Sequence, residues 1–421
     1  MLPHTSSHIR SISTAVGVSA MMLFGACHSS HSPAEERVAN ARRATGDIVI
    51  GVAWPWAARK EVRYGEGLTM AVDEINSSGG VRGRRIRLRR EDDRESVDEG
   101  ELVAQRLAND PDVVAVIGHL QSYVSVPASA IYDLSGLVML APTATDPALT
   151  AHGYPRVFRA TFTDEQVGRQ MAEFAARHGY ERIGIYYIRS DYGRNLANAF
   201  EERANDLGLQ VPVRQSYEPN DPASDGSFGP VLRGWRDIGL DAIFLAGEVP
   251  SAAHVIVAAR EQGLTIPILG GDAMSSPELI SVGGAAAEGT VVATAFHPDE
   301  PRPEVRRFTV AFEKRFGVPP DAGSALGYDV VRLLADAMER ANSTVPDAVA
   351  SALHSMRDWL GVTGSFTFDS AGNLVGRPIA KMVVRQGGFA YLPDSIAIPT
   401  PSIALRSAGA ARTAQARRET P

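Results

Sequence analysis

The residues Ile117–Pro147, IGHLQSYVSVPASAIYDLSGLVMLAPTATDP, contain the strand–helix–strand pattern on which the predicted fold rests. Apolar runs at Val113–Ile117 and Leu137–Leu140 predict two buried parallel strands, with a helix over about Ser125–Leu134 between them. Each strand is followed by hydroxyl side chains, Ser122 and Ser125 after the first, Thr143 and Thr145 after the second. Ligands bind at this carboxyl edge of an open α/β sheet. The pattern therefore predicts a site for a small anion such as a carboxylate, without a catalytic apparatus.

The composition is typical of a soluble globular protein with room for two domains. The chain has 421 residues, of which 44% are hydrophobic and 22% are charged. Its net charge is −7 and its pI is near 5.8. This acidic balance argues against a nucleic-acid partner and against a polybasic membrane surface.

The N-terminus has the features of a lipoprotein signal peptide, predicted here for residues 1–27. A mostly apolar run ends in AMMLFGA just before Cys27, the single cysteine of the chain. The residues FGAC resemble a lipoprotein cleavage box, so we expect Cys27 to carry the lipid; the alternative is an ordinary secretory signal with an incidental cysteine. We expect residues 28–45, which are polar, to form a flexible tether. Residues 395–421 are rich in Ala, Ser, Thr, Pro and Arg and predict a disordered tail.

Strand and helix patterns alternate from Asp47 onward and predict an α/β fold with parallel sheets covered on both faces. The predicted strands are Ile48–Ala53, Arg85–Arg89, Val113–Ile117, Leu137–Leu140, Arg182–Ile188, Leu209–Arg214, Ala242–Ala246, Pro267–Gly270 and Thr290–Ala295. Helical patterns lie between them, and the alternation restarts near Tyr154. After a last helical block over 303–356, two strand-like runs, Gly364–Phe368 and Ile379–Val384, are joined by a turn at Asp369–Asn373.

Five segments, in order, resemble the type I periplasmic solute-binding proteins, specifically the leucine/isoleucine/valine-binding family. They are INSSGGVRGRRI (75–86), IGHLQS (117–122), APTATDPALT (141–150), SDYGRNLA (190–197) and FEKRFGVPPDAGSALGYDVVRLLADAMERA (312–341). The resemblance covers about Asp47–Leu392. It implies two doubly wound parallel-sheet lobes joined by three hinge crossovers, with the ligand in the cleft between them. Lobe 1 would comprise residues 46–161 plus 293–375, and lobe 2 residues 162–292 plus 376–394.

The resemblance also assigns candidate ligand-binding residues. Members of the family hold an amino acid's carboxylate at positions matching Ser122, Thr143 and Thr145; the alternative is that these residues only cap strand ends or helix starts. Asp272, in GGDAM, matches the family's ammonium-binding position, although an Asp after Gly-Gly also suits a turn. Tyr192 matches a tyrosine that faces the ligand, or it covers the start of a helix.

Two places depart from a purely aliphatic pocket. Glu248 stands where leucine-binding relatives carry a tyrosine, and a carboxylate there would meet a second amine, a hydroxyl or an amide of the ligand, unless it is only a solvated helix-start residue. Trp54 and Trp56 flank Pro55 after the first strand and are candidates for the wall of the pocket. One tryptophan in the pocket and one packed outside is the preferred arrangement of this pair.

These features predict an extracytoplasmic, lipid-anchored and monomeric substrate-binding protein of an ABC transporter. The expected ligand is a small polar solute, an amino acid of the branched-chain type or an analogue, and the expected partner is a membrane permease. We expect no cofactor, no metal and no enzymatic activity, because the chain contains no G-x-S-x-G, H-E-x-x-H or P-loop motif. The acidic pair Asp92–Asp93 is interpreted as a solvated or bracing turn. Alternatives are a sensory protein for an amide or amino acid derivative, and an enzyme acting in the same cleft.

Overall fold

A computed structural model of the chain describes residues 32–60, 62–218 and 224–393, without the side chains of 224–227. The predicted signal peptide, its Cys27 and the predicted tail over 395–421 lie outside these ranges. Within them, every helix is too short or too polar to span a bilayer.

Strands and helices alternate along most of the described chain. The strands are β1 Ile48–Ala53, β2 Ile86–Glu91, β3 Val113–Ile117, β4 Val138–Ala141, β5 Val157–Arg159, β6 Arg182–Ile188, β7 Gln210–Tyr217, β8 Ala242–Ala246, β9 Ile268–Gly270, β10 Val291–Thr294, β11 Trp359–Gly361, β12 Gly364–Phe366, β13 Ala380–Arg385 and β14 Gly388–Leu392. The α-helices are α1 Pro33–Arg43, α2 Tyr64–Ser77, α3 Val97–Ala108, α4 Ser122–Leu134, α5 Ala148–Ala151, α6 Asp164–Arg177, α7 Asp191–Asp206, α8 Ser224–Trp235, α9 Ser251–Glu261, α10 Pro277–Gly283, α11 Pro303–Phe316, α12 Ala322–Arg340 and α13 Pro346–Ser355.

The first sheet has the strand order β2-β1-β3-β4-β5, and all its strands are parallel. Every residue of β1, β3 and β4 is buried, because helices cover both faces of the sheet. The strands at its centre therefore read as unbroken apolar runs in the sequence.

Helix α1 corrects the prediction of a flexible tether over residues 28–45. Ser32 and Glu35 form a capping box at its start. The buried guanidinium of Arg37 then donates to the backbone oxygens of Val113 at 2.6 Å, Ser135 at 2.7 Å and Ala108 at 2.6 Å. These bonds fix the helix to the first sheet and its neighbouring helices, so the polar composition of the segment does not indicate flexibility here.

The second sheet has the order β14-β13-β10-β9-β8-β6-β7. Its central strands are parallel, as predicted, but β13 runs antiparallel to β10 and β14 antiparallel to β13. Gln386 and Gly387 connect β13 to β14 with φ angles of 52° and 72°. Two successive residues in the left-handed region form the tight turn that hairpins prefer, which explains the reversal at this edge.

Helices α11–α13 follow a strand of the second sheet, but α12 and α13 pack against the first, and α11 packs on α2 and α12. Val330 and Leu334 of α12 share one apolar core with Ile50 and Ile117. The chain thus crosses between the region of the first sheet and that of the second at residues 160–163, 295–302 and 367–379. The runs 364–368 and 379–384 consequently separate: β12 pairs with β11, whereas β13 joins the second sheet.

Candidate ligand-binding site

Loops at the carboxyl ends of strands from both sheets line one cavity of about 430 Å³. This volume is within the range of small-molecule sites. Seven of the eight predicted residues line it: Trp54, Ser122, Thr143, Thr145, Tyr192, Glu248 and Asp272. Trp56 does not. Because parallel strands end at a common edge, residues far apart in sequence come together there.

The hydroxyl side chains after β3 and β4 tie two loops together. Ser122 Oγ accepts the backbone N–H groups of Thr145 at 3.1 Å and Asp146 at 3.2 Å. Its own hydrogen can still be donated to a ligand, and α4 begins at this residue, so the positive end of a helix dipole is present. Thr143 instead donates to the backbone oxygens of Leu120 at 2.8 Å and His119 at 3.2 Å. Thr143 is therefore a brace of the loop in this arrangement, as the alternative interpretation had it.

Asp272 and Tyr192 form the opposite side of the cavity. Tyr192 Oη donates to Asp272 Oδ1 at 3.2 Å and accepts the N–H of Ala273 at 3.3 Å. Burial raises the pKa of Asp272 to about 6, although hydrogen bonds from its own backbone N–H, the Tyr192 hydroxyl and the Ala273 N–H oppose the shift. Among the described residues, no Lys or Arg forms an ion pair with Asp272. A partly buried carboxylate without an ion-pair partner favours binding of an ammonium group.

Glu248 lies in the loop between β8 and α9 and contributes a second carboxylate to the cavity. Burial raises its pKa, and the guanidinium of Arg59 opposes the shift. Arg59 also lines the cavity, but its Nε atom lies 2.5 Å from Glu95 Oε1. Nowhere in the described part of the chain does Glu248 have an ion-pair partner of its own.

The two tryptophans separate as the preferred arrangement had it. Trp54 lines the cavity, is 1% exposed and stacks on Tyr64 at a ring distance of 3.9 Å. Trp56 packs outside, where its Nε1 donates to the Glu91 oxygen at 3.0 Å and the Arg90 guanidinium lies 4.9 Å from its ring. Trp56 is therefore not a candidate for contact with a ligand.

Several residues important to the site were not predicted from the sequence. Gln121 and Tyr123 line the cavity, as does Arg59. The first two flank Ser122, so their place in the same loop was a usable signal. Arg59 follows the AWPWAA segment, but nothing in that segment indicates which way its side chain points.

A buried histidine braces the loop that leads to Ser122. His119 Nδ1 lies 2.7 Å from Asp93 Oδ2, and its Nε2 lies 3.0 Å from Tyr132 Oη. Its backbone N–H donates to Ser125 Oγ at 3.2 Å. Asp93 thus belongs to a bracing turn, one of the two interpretations given to the acidic pair. Ser125 is buried in this network and does not line the cavity.

Comparison with known proteins assigns the family. The sequence model of a family described as "Periplasmic binding protein" matches residues 57–388. A substrate-binding protein of an ABC transporter from Desulfitobacterium hafniense, solved in complex with Leu, is 37% identical; the alignment covers 82% of this chain and 100% of that one, with a TM-score of 0.75. The chain belongs to the type I periplasmic binding proteins, in the leucine/isoleucine/valine-binding family.

Curated relatives of this binding protein agree with that assignment. "Leu/Ile/Val-binding protein homolog 1" of Brucella suis is 29% identical over 338 residues, which are 78% of this chain and 88% of the relative. The "Leucine-, isoleucine-, valine-, threonine-, and alanine-binding protein" of Pseudomonas aeruginosa is 28% identical over 336 residues, 79% of this chain and 88% of the relative. The family consists of solute-binding proteins rather than enzymes, and its members act outside the cytoplasm.

Proposed function

We propose that this protein is the substrate-binding component of an ABC transporter and that it captures an amino acid in a cleft between two lobes. The observation that carries the proposal is the cavity itself. It places the partly buried carboxylate of Asp272, which has no ion-pair partner in the described chain, together with Ser122 at the start of α4. These two features are complementary to an α-ammonium and an α-carboxylate.

The proposed lobes are residues 46–161 plus 293–375 and residues 162–292 plus 376–394. The division is supported by the sheets, since β1–β5 form one sheet and β6–β10 with β13 and β14 form the other. Closure of the lobes about the three connecting segments would bury the ligand and create the surface that a permease recognises.

Within the cleft, we assign the ligand's carboxylate to the loops that carry Ser122, Thr143 and Thr145. The Ser122 hydroxyl is the main donor, and Thr143, whose hydroxyl is donated to backbone oxygens, holds its loop in position. The ammonium group pairs with Asp272, which Tyr192 holds in place. Trp54 forms a wall for the ligand's side chain. Relatives with leucine, isoleucine and valine in their names support a branched-chain ligand or an analogue.

Calorimetry on the mature protein with leucine, isoleucine, valine and other amino acids tests this proposal. Asp272→Ala should lower the affinity for a bound amino acid at least about tenfold, because hydrogen bonds to charged groups contribute roughly 1.5–3 kcal/mol. Asp237→Ala is a matched control, since that side chain is 84% exposed and does not line the cavity. An unchanged affinity in Asp272→Ala would refute the ammonium site.

The transport role needs a separate experiment. A strain that lacks the gene should lose uptake of the bound amino acid and regain it when the gene is restored. Normal uptake in that strain, despite tight binding by the purified protein, would instead favour a sensory role.

We also propose a lipid anchor at Cys27 and a monomeric protein at the outer face of the membrane. The anchor is supported by the FGAC sequence at the end of an apolar segment. Labelling with radioactive palmitate in vivo should mark the wild type and not Cys27→Ser. Light scattering on the mature protein would identify a dimer and so contradict the monomer.

A further inference from the structure

The charged side chains that line the cavity are unequally paired. They are Arg59, Asp191, Glu248 and Asp272. Arg59 is paired with Glu95, and Asp191 with Arg194. Glu248 and Asp272 have no ion-pair partner in the part of the chain that the structure describes. The Arg59 guanidinium acts on Glu248 as well as pairing with Glu95, so one positive charge is shared between two glutamates. The cavity therefore retains an excess of negative charge.

A simple zwitterionic amino acid compensates only one of these carboxylates. Its ammonium group pairs with Asp272, and its own carboxylate is held by Ser122. An aliphatic side chain would then leave Glu248 with only Gln121 and the shared Arg59 to interact with, and the ligand would desolvate its charge without compensating it. A second cation on the ligand removes this cost.

The remaining walls of the cavity are suited to the stem of such a side chain. Trp54, Val62, Leu120 and Leu326 contribute apolar surface. Long basic side chains bury their methylene groups against apolar surface and keep the charged end in a polar environment. The cavity meets both requirements, because the carboxylate of Glu248 lines it together with these apolar side chains.

We propose that the cavity selects an amino acid whose side chain ends in a cation, an ammonium or guanidinium group on a methylene stem, and that this cation pairs with Glu248. The inference rests on the proposed capture of an amino acid, and it replaces the branched-chain class suggested by the relatives' names with a basic one. A neutral amide would hydrogen-bond to Glu248 but would leave its charge uncompensated, which is why the cation is preferred.

Lysine and norleucine provide the sharpest test, because they share a four-carbon stem and differ in the terminal ammonium group. Calorimetry on the wild type should show lysine, ornithine or arginine binding about tenfold or more tightly than norleucine and leucine. Glu248→Gln keeps the shape of the side chain and should lower the affinity for the basic ligand by a similar factor. Norleucine should bind this variant no more weakly than it binds the wild type.

Glu261→Gln is the matched control, because Glu261 ends α9, the helix after Glu248, and is exposed. Its affinities should equal those of the wild type, and melting temperatures should show that both variants fold. Norleucine or leucine binding the wild type as tightly as lysine would overturn the inference, and so would glutamine binding more tightly than every basic amino acid. An unchanged lysine affinity in Glu248→Gln would do the same. In these cases the proposed function would survive, whereas failure of every amino acid to bind would overturn both.

Discussion

Replacement of Asp164 by Asn should change how the stability of the protein depends on pH. Asp164 begins α6 and is fully buried, and it has no ion-pair partner among the described residues. Burial raises its pKa from 3.8 to about 8; the Thr145 hydroxyl opposes this shift, and the charge of Asp272 adds to it. The folded protein therefore strongly favours the protonated form of this side chain.

The sign of the effect follows from the two pKa values. Well below pH 3.8 the carboxyl group is protonated in both the folded and the unfolded chain, so it costs no stability. As the pH rises from 4 to 8, the unfolded chain releases the proton and the folded chain retains it, which favours unfolding. With 1.36 kcal/mol for each pKa unit, the cost increases by ~4 kcal/mol between pH 5 and pH 9.

Asn has nearly the same shape as Asp and does not titrate, so Asp164→Asn removes this dependence. Its unfolding free energy relative to the wild type should rise by ~4 kcal/mol from pH 5 to pH 9, whatever the difference is at pH 5. For proposed lobes of roughly 150–200 residues, 1 kcal/mol corresponds to roughly 2–4 °C in melting temperature, so the relative shift should be about 8–16 °C.

Urea unfolding and thermal melts at pH 5, 7 and 9 measure this difference directly. Glu165→Gln is the matched control, because Glu165 is the next residue of the same helix and is exposed. Its pH profile should run parallel to that of the wild type. A parallel profile for Asp164→Asn as well would show that the buried carboxyl does not titrate as proposed.

Two further predictions concern the buried polar contacts of the first sheet. Arg37→Met should lower the free energy of unfolding by about 3–5 kcal/mol, because three backbone oxygens lose a charged donor. Arg43 is exposed, so Arg43→Met should have little effect on stability. Equal urea midpoints for the two variants would contradict this role of Arg37. Tyr132→Phe should cost about 1 kcal/mol by removing the hydroxyl that contacts His119; a urea midpoint equal to that of the wild type would show that this contact contributes nothing to stability.

Much of the fold could be predicted from the sequence because its central strands are buried on both faces. The strands Ile48–Ala53, Val113–Ile117, Arg182–Ile188 and Ala242–Ala246 coincide with the predicted ones, residue for residue. Such runs of apolar residues have sharp boundaries. The short β5 and the half-buried β14 lack that pattern and were not predicted.

Helix α1 illustrates a different limit of prediction. Its apolar content is low, and it is held by one arginine that reaches backbone oxygens more than seventy residues away. Local composition contains no information about such contacts. For the same reason, the contact between His119 and Asp93 could not be predicted from either residue's neighbours.

The residues at the strand ends were predictable in position, and their interactions were not. Parallel topology places Ser122, Thr143 and Asp272 at one edge whatever their side chains do. Whether a hydroxyl points into the cavity or back to a backbone oxygen depends on loop geometry, as Thr143 shows. Whether Glu248 and Asp272 have ion-pair partners depends on where the arginine side chains lie in the folded protein. The sequence alone does not give those positions.

Asp164, Glu248 and Asp272 share one property, since burial raises the pKa of each and none has an ion-pair partner in the described chain. Negative charge is thus costly in the cavity and next to it, where Asp164 lies close enough to Asp272 for their charges to interact. A cation bound near Asp272 or Glu248 lowers that cost, so part of its binding free energy comes from relief of strain already present in the free protein. A neutral group of the same size gains none of this relief. Selectivity for a cationic over a neutral ligand group therefore arises from the carboxylates without ion-pair partners. Apolar contacts in the cavity cannot provide this selectivity.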